Sequence, residues 1–252
     1  MPSSKHSNTR QTTQRKPAGR AKRVAFWLLA LLLLAGVADV GRYAVWPNVS
    51  RLARENPGKT AFMSWREAQW AREGRKKRIE QVWVPLNRIA KSAVLAVTIA
   101  EDDKFWQHGG FDFEGMQQAL KKDLEKGRIA AGGSTITQQL AKNLWLTPSR
   151  NPLRKVKEAL LAWRLEEALS KKRILELYLN VAEWGDGVFG IEAASRASFG
   201  VPAAALSAEQ AARLAVVLPS PLKWSAVHPS RGVALRARII LERMQRRLGD
   251  DG

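Results

Sequence analysis

Cysteine is absent from the 252 residues, which removes disulfides, thiol nucleophiles and thiolate metal sites together. Histidine is scarce, and His6, His108 and His228 are too scattered to suggest a zinc centre. Acids are few: 23 Asp+Glu face 42 Lys+Arg, a formal charge of +19. Seven of those bases lie in residues 1–23 with no acid among them, yet the excess persists through the rest of the chain. Such a balance implies an anionic partner, whether nucleic acid, lipid headgroups or a phosphorylated substrate, and charge alone does not choose among them. No internal repeat is visible. No alternating strand pattern appears beyond Gln81–Val84, so the fold class expected is mainly α.

Val24 to Ala38 is uninterrupted apolar sequence behind the basic tail. Alone it is short for a membrane span, which needs ~20 residues. Extension past Asp39 to Trp46 supplies the length and ends the segment with Tyr43 and Trp46, suited to a bilayer interface. The expected organisation is a basic cytoplasmic tail (1–23), a transmembrane signal-anchor (24–46), a linker with a membrane-proximal helix (47–83) and a catalytic domain (84–252). The charge bias holds the tail in the cytoplasm and sends the remainder across the membrane. A cleaved signal peptide with a processing site at Gly36-Val37-Ala38 is the competing reading, but 23 residues are long for its basic region.

Pro47, Asn48, Pro57 and Gly58 mark residues 47–59 as a linker. A helix is expected from Thr60 to about Arg78. Its Phe62, Trp65 and Trp70 either lie on the membrane surface or cap the domain core. Arg88 to Ala100 has helical period, and Glu101 falls on the stripe of Val94 and Val97. Asp112 is placed to cap a helix that Lys126-Gly127 ends. Thr135-x-x-Gln138 and Ser207-x-x-Gln210 are capping-box patterns. Pro152 opens a helix whose Val156, Leu160 and Trp163 share a face. Ser170 starts another running through Val181, with Ile174 and Tyr178 inward. Gly185, Gly187 and Gly190 read as a flexible loop, and a last helix runs from Val233. Ser220-Pro221-Leu222-Lys223 matches Ser-x-x-Lys, but no Lys-Thr-Gly follows and it reads as a Pro-bounded turn.

Three places carry candidate chemistry. Glu101 ends an apolar helix, where desolvation raises a carboxyl pKa and suits acid–base work; Asp102 and Asp103 add like charge. A solvated acidic helix end is the plainer alternative. Glu158 lies among Arg150, Arg154, Lys155 and Lys157 at the start of a helix. Helix amino ends attract anions, so bases crowded there suit a diphosphate; an exposed i,i+4 pair of Arg154 with Glu158 inside a basic patch is the alternative. In segment 132–143, Gly132 and Gly133 permit close backbone approach. Gln138, Gln139 and Asn143 can hydrogen-bond sugar hydroxyls, and Lys142 can reach phosphate. No Walker loop is formed, and a well-capped amphipathic helix with outward polar groups also accounts for the segment. His108 is expected to hydrogen-bond locally, to Asp112 or a loop carbonyl, and to position the Glu101 turn. Glu176 and Asn180 either support the site or serve the core.

The runs Glu-Asp-x-x-Phe-x-x-His-x-Gly-x-Asp at 101–112, Gly-Gly-Ser-Thr-Ile-Thr-Gln-Gln-Leu-x-Lys-Asn at 132–143, Arg-Lys-x-x-Glu at 154–158 and Lys-x-x-Ile-Leu-Glu-x-Tyr-Leu-Asn at 171–180 occur in that order. With them the chain resembles the peptidoglycan glycosyltransferases of family 51, from roughly Val84 to Pro229, and most closely their monofunctional biosynthetic members. The resemblance implies a lysozyme-like α domain on the outer face of the bacterial inner membrane. That domain would polymerise lipid II into β-1,4 glycan strands with inversion and release undecaprenyl diphosphate. It implies that Glu101 is the general base. Glu158 would assist the diphosphate directly or through a divalent ion (Mg or Mn), with no cofactor otherwise required. Lys142, Arg150, Arg154, Lys155 and Lys157 would neutralise the diphosphate, and Ser134, Gln138, Gln139 and Asn143 would contact substrate. Asp102, Phe105 and His108 are implied as structural neighbours. The partners implied are lipid II, the growing strand, the membrane and other cell-wall synthesis or division proteins, with no nucleic acid. A lysozyme-like glycan-cleaving enzyme and a basic membrane-bound binding protein are the rival functions.

Overall fold

The computed structural model describes residues 18–126, 133–149 and 151–250. Ten helices among them are α1 (Ala18–Gly41), α2 (Ala61–Arg72), α3 (Lys91–Glu101), α4 (Phe113–Lys126), α5 (Ile136–Trp145), α6 (Pro152–Ala168), α7 (Lys171–Val181), α8 (Ile191–Phe199), α9 (Ala208–Val217) and α10 (Arg231–Asp250). Short strands β1 (Glu80–Gln81), β2 (Glu183–Gly185) and β3 (Val188–Phe189) form one small sheet in the order β1-β3-β2. The fold is mainly α, as the periodicities require.

α1 belongs to a unit ending at Arg42, and a second, compact unit starts at Tyr43. By length and composition the segment Lys22–Ala53 can cross a membrane, with a mean hydropathy of 2.2. The leucines of α1 are exposed, Leu32 at 70%.

The compact unit begins earlier than the expected boundary at residue 84. Residues 47–59, expected to be a linker, include a 3-10 turn at Val49–Ala53 that buries Val49 and Leu52 against α6. The carbonyls of this irregular stretch are satisfied by two arginine forks. Arg164 donates to Tyr43 O and Pro47 O, both at 2.8 Å. Arg173 donates to Leu52 O at 2.7 Å and Glu55 O at 2.8 Å. Neither partner is local in sequence, so spacing gave no hint of them.

α2 ends at Arg72 and packs on α5. Trp70 is buried and Phe62 lies edge-on to Phe189, 6.3 Å between centroids, so these aromatics close the core. The expected flexible loop at Gly185, Gly187 and Gly190 is instead the β2–β3 hairpin followed by α8, which sequence reading missed. Gly190 has φ +83, and a Cβ there would meet Asn180 O at 2.8 Å, so the glycine lets the hairpin close on α7. Asn180 holds the other side of that junction: its side chain accepts from Val84 N and donates to Val84 O, each at 2.9 Å.

The capping patterns appear where expected. Thr135, Ser207 and Ser170 accept from the backbone N–H three residues on, and Asp112 Oδ1 accepts from Gly115 N at 2.9 Å. Pro152 opens α6 with Asn151 as its cap. The face of α6 that turns inward is the one that carries Glu158 and Leu161. Glu158, Leu161, Ala162 and Leu165 are buried, while Val156 and Trp163 are about half exposed. α6 packs on α5. Ser220–Lys223 is a turn, with Lys223 N donating to Ser220 O at 3.0 Å.

Candidate active site

α3 ends at Glu101, and Asp102 breaks the helix. The buried Asp102 carboxylate joins two elements. Oδ2 accepts from Ile136 N, the first residue of α5, at 2.9 Å, and Oδ1 meets His108 Nε2 at 2.8 Å. His108 Nδ1 accepts from Gly110 N at 3.1 Å, which leaves the Nε2 hydrogen to point at Asp102. The expected partner of His108 was Asp112 or a loop carbonyl; Asp112 caps α4 instead. Phe105, fully buried, packs edge-on to His108 and under the Lys171 ammonium, 4.5 Å from the ring centroid. Gly110 has φ +89, and a Cβ there would come within 2.9 Å of Glu166 Cγ. Glu166, which no motif singled out, accepts from Thr137 Oγ1 at 2.5 Å and from Lys171 at 2.8 Å. The turn after Glu101 is thus fastened to α5, α6 and α7.

α5 presents Gln139 and Lys142 one turn apart on one face. Gln139 Nε2 donates to Glu101 Oε2 at 2.7 Å, and Gln139 Oε1 accepts from Tyr178 OH at 3.0 Å. Gln139, expected as a sugar contact, therefore orients the carboxylate. Gln138, expected both to cap and to bind sugar, is buried with Oε1 on Thr135 N at 3.1 Å, which serves the cap.

Burial pushes the Glu101 carboxyl above the usual glutamate range; the Gln139 hydrogen bond and the Lys142 charge pull it back, and Asp102 adds to the rise. Burial pushes Lys142 below the usual lysine range. Glu158 and Glu101 oppose that shift, while Arg154 and Lys155 reinforce it. The Tyr178 hydroxyl is held well above its ordinary range by burial and by the nearby Glu101 and Asp102.

Glu158 is buried, unlike the acid of an exposed helix pair. Arg154 Nη1 donates to its Oε2 at 2.7 Å, and the Lys155 ammonium contacts Oε1. Lys155 also donates to Ser134 Oγ at 2.9 Å, joining the start of α5 to that of α6. Lys157 turns elsewhere, with Nζ 5.3 Å from the Tyr43 ring centroid. Arg150 and Gly132 lie outside the described residues. Asn143 is buried and lines, with Gln139, Lys142, Tyr178 and Glu183, a cavity of about 160 Å³ closed by Leu218 and Pro219. Glu183 was not anticipated. It accepts from Arg66 Nε at 2.8 Å and Nη2 at 2.5 Å, a pair 117 residues apart in the chain and so without local signature.

A divalent ion at Glu158 does not fit these groups. Both carboxylate oxygens already hold cations, and among the described residues no cluster of three His, Asp or Glu side chains could bind a metal. What the arrangement can do is take a proton at Glu101 and hold an anion beside Lys142, Arg154 and Lys155.

The family model described as Transglycosylase matches residues 67–245. The chain is 47% identical over 223 residues to a protein of Dechloromonas aromatica named biosynthetic peptidoglycan transglycosylase, covering 86% of this chain and 95% of that one. Proteins of the same name from Laribacter hongkongensis and Neisseria gonorrhoeae are 46% and 43% identical. They cover 86% and 88% of this chain, and 92% and 94% of their own lengths.

Proposed function

The chain belongs to the transglycosylase family, and from that membership we infer that Glu101 and the Lys142 cluster are the two poles of a peptidoglycan glycosyltransferase site. The enzyme polymerises glycan strands. Its donor is lipid II or the lipid-linked growing strand. In the reading proposed, the Glu101 carboxylate takes the proton of the acceptor GlcNAc 4-hydroxyl while that oxygen bonds to C1 of the donor MurNAc. The bond from C1 to the diphosphate oxygen breaks, so a single displacement inverts the anomeric centre. The electron pair leaves with undecaprenyl diphosphate, and the proton remains on Glu101 until it passes to solvent.

The observation that carries this reading is α5, whose Gln139 holds Glu101 Oε2 at 2.7 Å and whose Lys142, one turn on, feels the charges of Glu101, Glu158, Arg154 and Lys155. A raised carboxyl is the stronger base once ionised. Preorganised cations stabilise charge that develops on a leaving group, without reorganisation during the reaction. No step is assigned to a metal.

A lipid-linked donor requires the site to stay beside a bilayer. The apolar helix α1 associates the chain with the membrane. Phe113 and Leu124 on α4, 73% and 75% exposed, and Val156 and Trp163 on α6 suit an interfacial position for the domain. The proposed topology keeps the tail of residues 1–23 in the cytoplasm and the catalytic domain in the periplasm. Other cell-wall synthesis or division proteins are proposed partners, and nucleic acid is not.

The test is polymerisation of lipid II by the purified full chain. Wild type is expected to extend glycan strands. Glu101→Gln is expected to lose ~10²–10⁴-fold in rate with its melting temperature preserved. Digestion of preformed strands, or full activity in Glu101→Gln, would overturn the assignment.

A further inference from the structure

A groove of about 990 Å³ lies along α3 and is bounded by Pro85–Ile89, the amino end of α7, Trp106 and Arg247. Its floor is apolar, with Leu86, Ile89, Val94 and Leu95. Trp106 stands at one edge, 47% exposed and braced edge-on against the buried Phe105 ring at 5.0 Å.

The acids around it are all paired, and the excess charge is positive. Glu176 is the single acid among the lining residues, and it is consumed: Arg173 holds one oxygen and Leu86 N donates to the other at 2.8 Å. Arg247 and Arg243 share the one carboxylate of Asp103, at 2.6 and 2.7 Å. Lys91 and Lys172 are exposed and have no ion-pair partner among the described residues. Both stand in the first turns of their helices, α3 and α7, where no acid offsets them and the helix field is itself positive. Fixed positive charge therefore surrounds an apolar recess.

We propose that this groove docks a segment of a partner protein that carries acidic side chains and one or two large apolar anchors. Charge complementarity selects an acidic occupant, and the recess with its exposed indole selects an anchored one, since buried aromatic contacts dominate such interfaces. A second copy of this chain, at +19, is repelled from a basic groove. A flat bilayer does not reach a recessed floor. The volume stands at the upper end of ligand pockets. This inference is independent of the chemistry assigned to Glu101.

The test uses the full chain in detergent micelles to select from a phage-displayed random dodecapeptide library, with binding of the selected peptides measured by fluorescence polarisation. Sequences rich in Asp or Glu with Phe, Trp or Leu are expected. Trp106→Ala, and Lys91→Glu combined with Lys172→Glu, are each expected to weaken binding at least tenfold, while Glu101→Gln binds as wild type. The charge reversals place acids at helix amino ends, where they favour the fold, so a loss of binding is not a loss of structure. Three results would overturn the proposal: selection without an acidic and apolar consensus, peptides that bind the charge-reversed protein undiminished, or displacement of bound peptide by phosphatidylglycerol vesicles or by self-association of the chain.

Discussion

Replacing Gln139 with leucine should act on the ionisation of Glu101 rather than on substrate affinity. In the native protein Gln139 Nε2 donates to Glu101 Oε2 at 2.7 Å, and its own carbonyl is fixed by Tyr178 OH at 3.0 Å. The donated hydrogen bond is the largest influence opposing the upward push of burial on that carboxyl. A hydrogen bond to a charged group contributes about 1.5–3 kcal/mol, all of it in favour of the ionised acid. Losing it moves the acid limb of the rate profile to higher pH. The sign follows because the base must be ionised to act, and the protonated form gains ground. At a pH on that limb, polymerisation should fall by roughly 10- to 100-fold, the same energy converted at 1.36 kcal/mol per decade. At a pH well above it, the rate should approach wild type. The assay is lipid II polymerisation across pH, with KM followed at each point. A drop of equal size at every pH, carried by KM, would refute the reasoning and make Gln139 a sugar contact.

Lys142→Met should lower turnover by ~10²–10³-fold, the usual loss when one preorganised charge is removed. It should also raise the acid limb, because Lys142 favours the ionised Glu101, and remove the early alkaline limb of a lysine held low by burial. Arg154→Ala should impair use of the lipid-linked donor more than it lowers the melting temperature, since the Glu158 partner keeps Lys155; equal loss in both would argue for a structural role. Gly110→Ala should destabilise the fold by about 1–3 kcal/mol in thermal denaturation, as φ is +89 and the new methyl meets Glu166 Cγ at 2.9 Å.

Local chemistry was legible in the chain. Capping boxes at Thr135 and Ser207, Pro152 at the first turn of α6 and Glu101 at an apolar helix end all follow from contacts three or four residues long. Pairings between distant segments left no such trace. Nothing near Asp102 in sequence announces that it caps α5 at Ile136, and nothing near Glu183 announces Arg66. The inward face of α6 was not legible for a related reason. Val156, Leu160 and Trp163 do share a face, but which face meets the core depends on the elements packed against α6, and Leu161 and Leu165 are the residues fully buried. The linker reading of 47–59 failed because Pro and Gly mark irregular backbone, not loose backbone. Arg164 and Arg173 supply the donors that let an irregular stretch pack.

The buried Glu158 poses a question that its own bonds answer. An acid among bases at a helix amino end might be taken for the group that does the chemistry, yet both its oxygens are already engaged by Arg154 and Lys155. Breaking such a pair on one side leaves an uncompensated buried charge, so the pair is held firmly in place. On the function proposed, Glu158 is a fixed counterion that keeps Arg154 and Lys155 aimed until substrate arrives. The three cations Lys142, Arg154 and Lys155 outnumber the Glu158 carboxylate. A diphosphate is the anion proposed for that cluster. Removal of Glu158 should then harm the site through misplaced cations, and a lysine-to-arginine exchange at Lys155 should be tolerated better than a neutral residue at Glu158. The division between one proton acceptor on α3 and one cation cradle on α6 is set by α5, whose Gln139 and Lys142, a single turn apart, touch the first and feel the second.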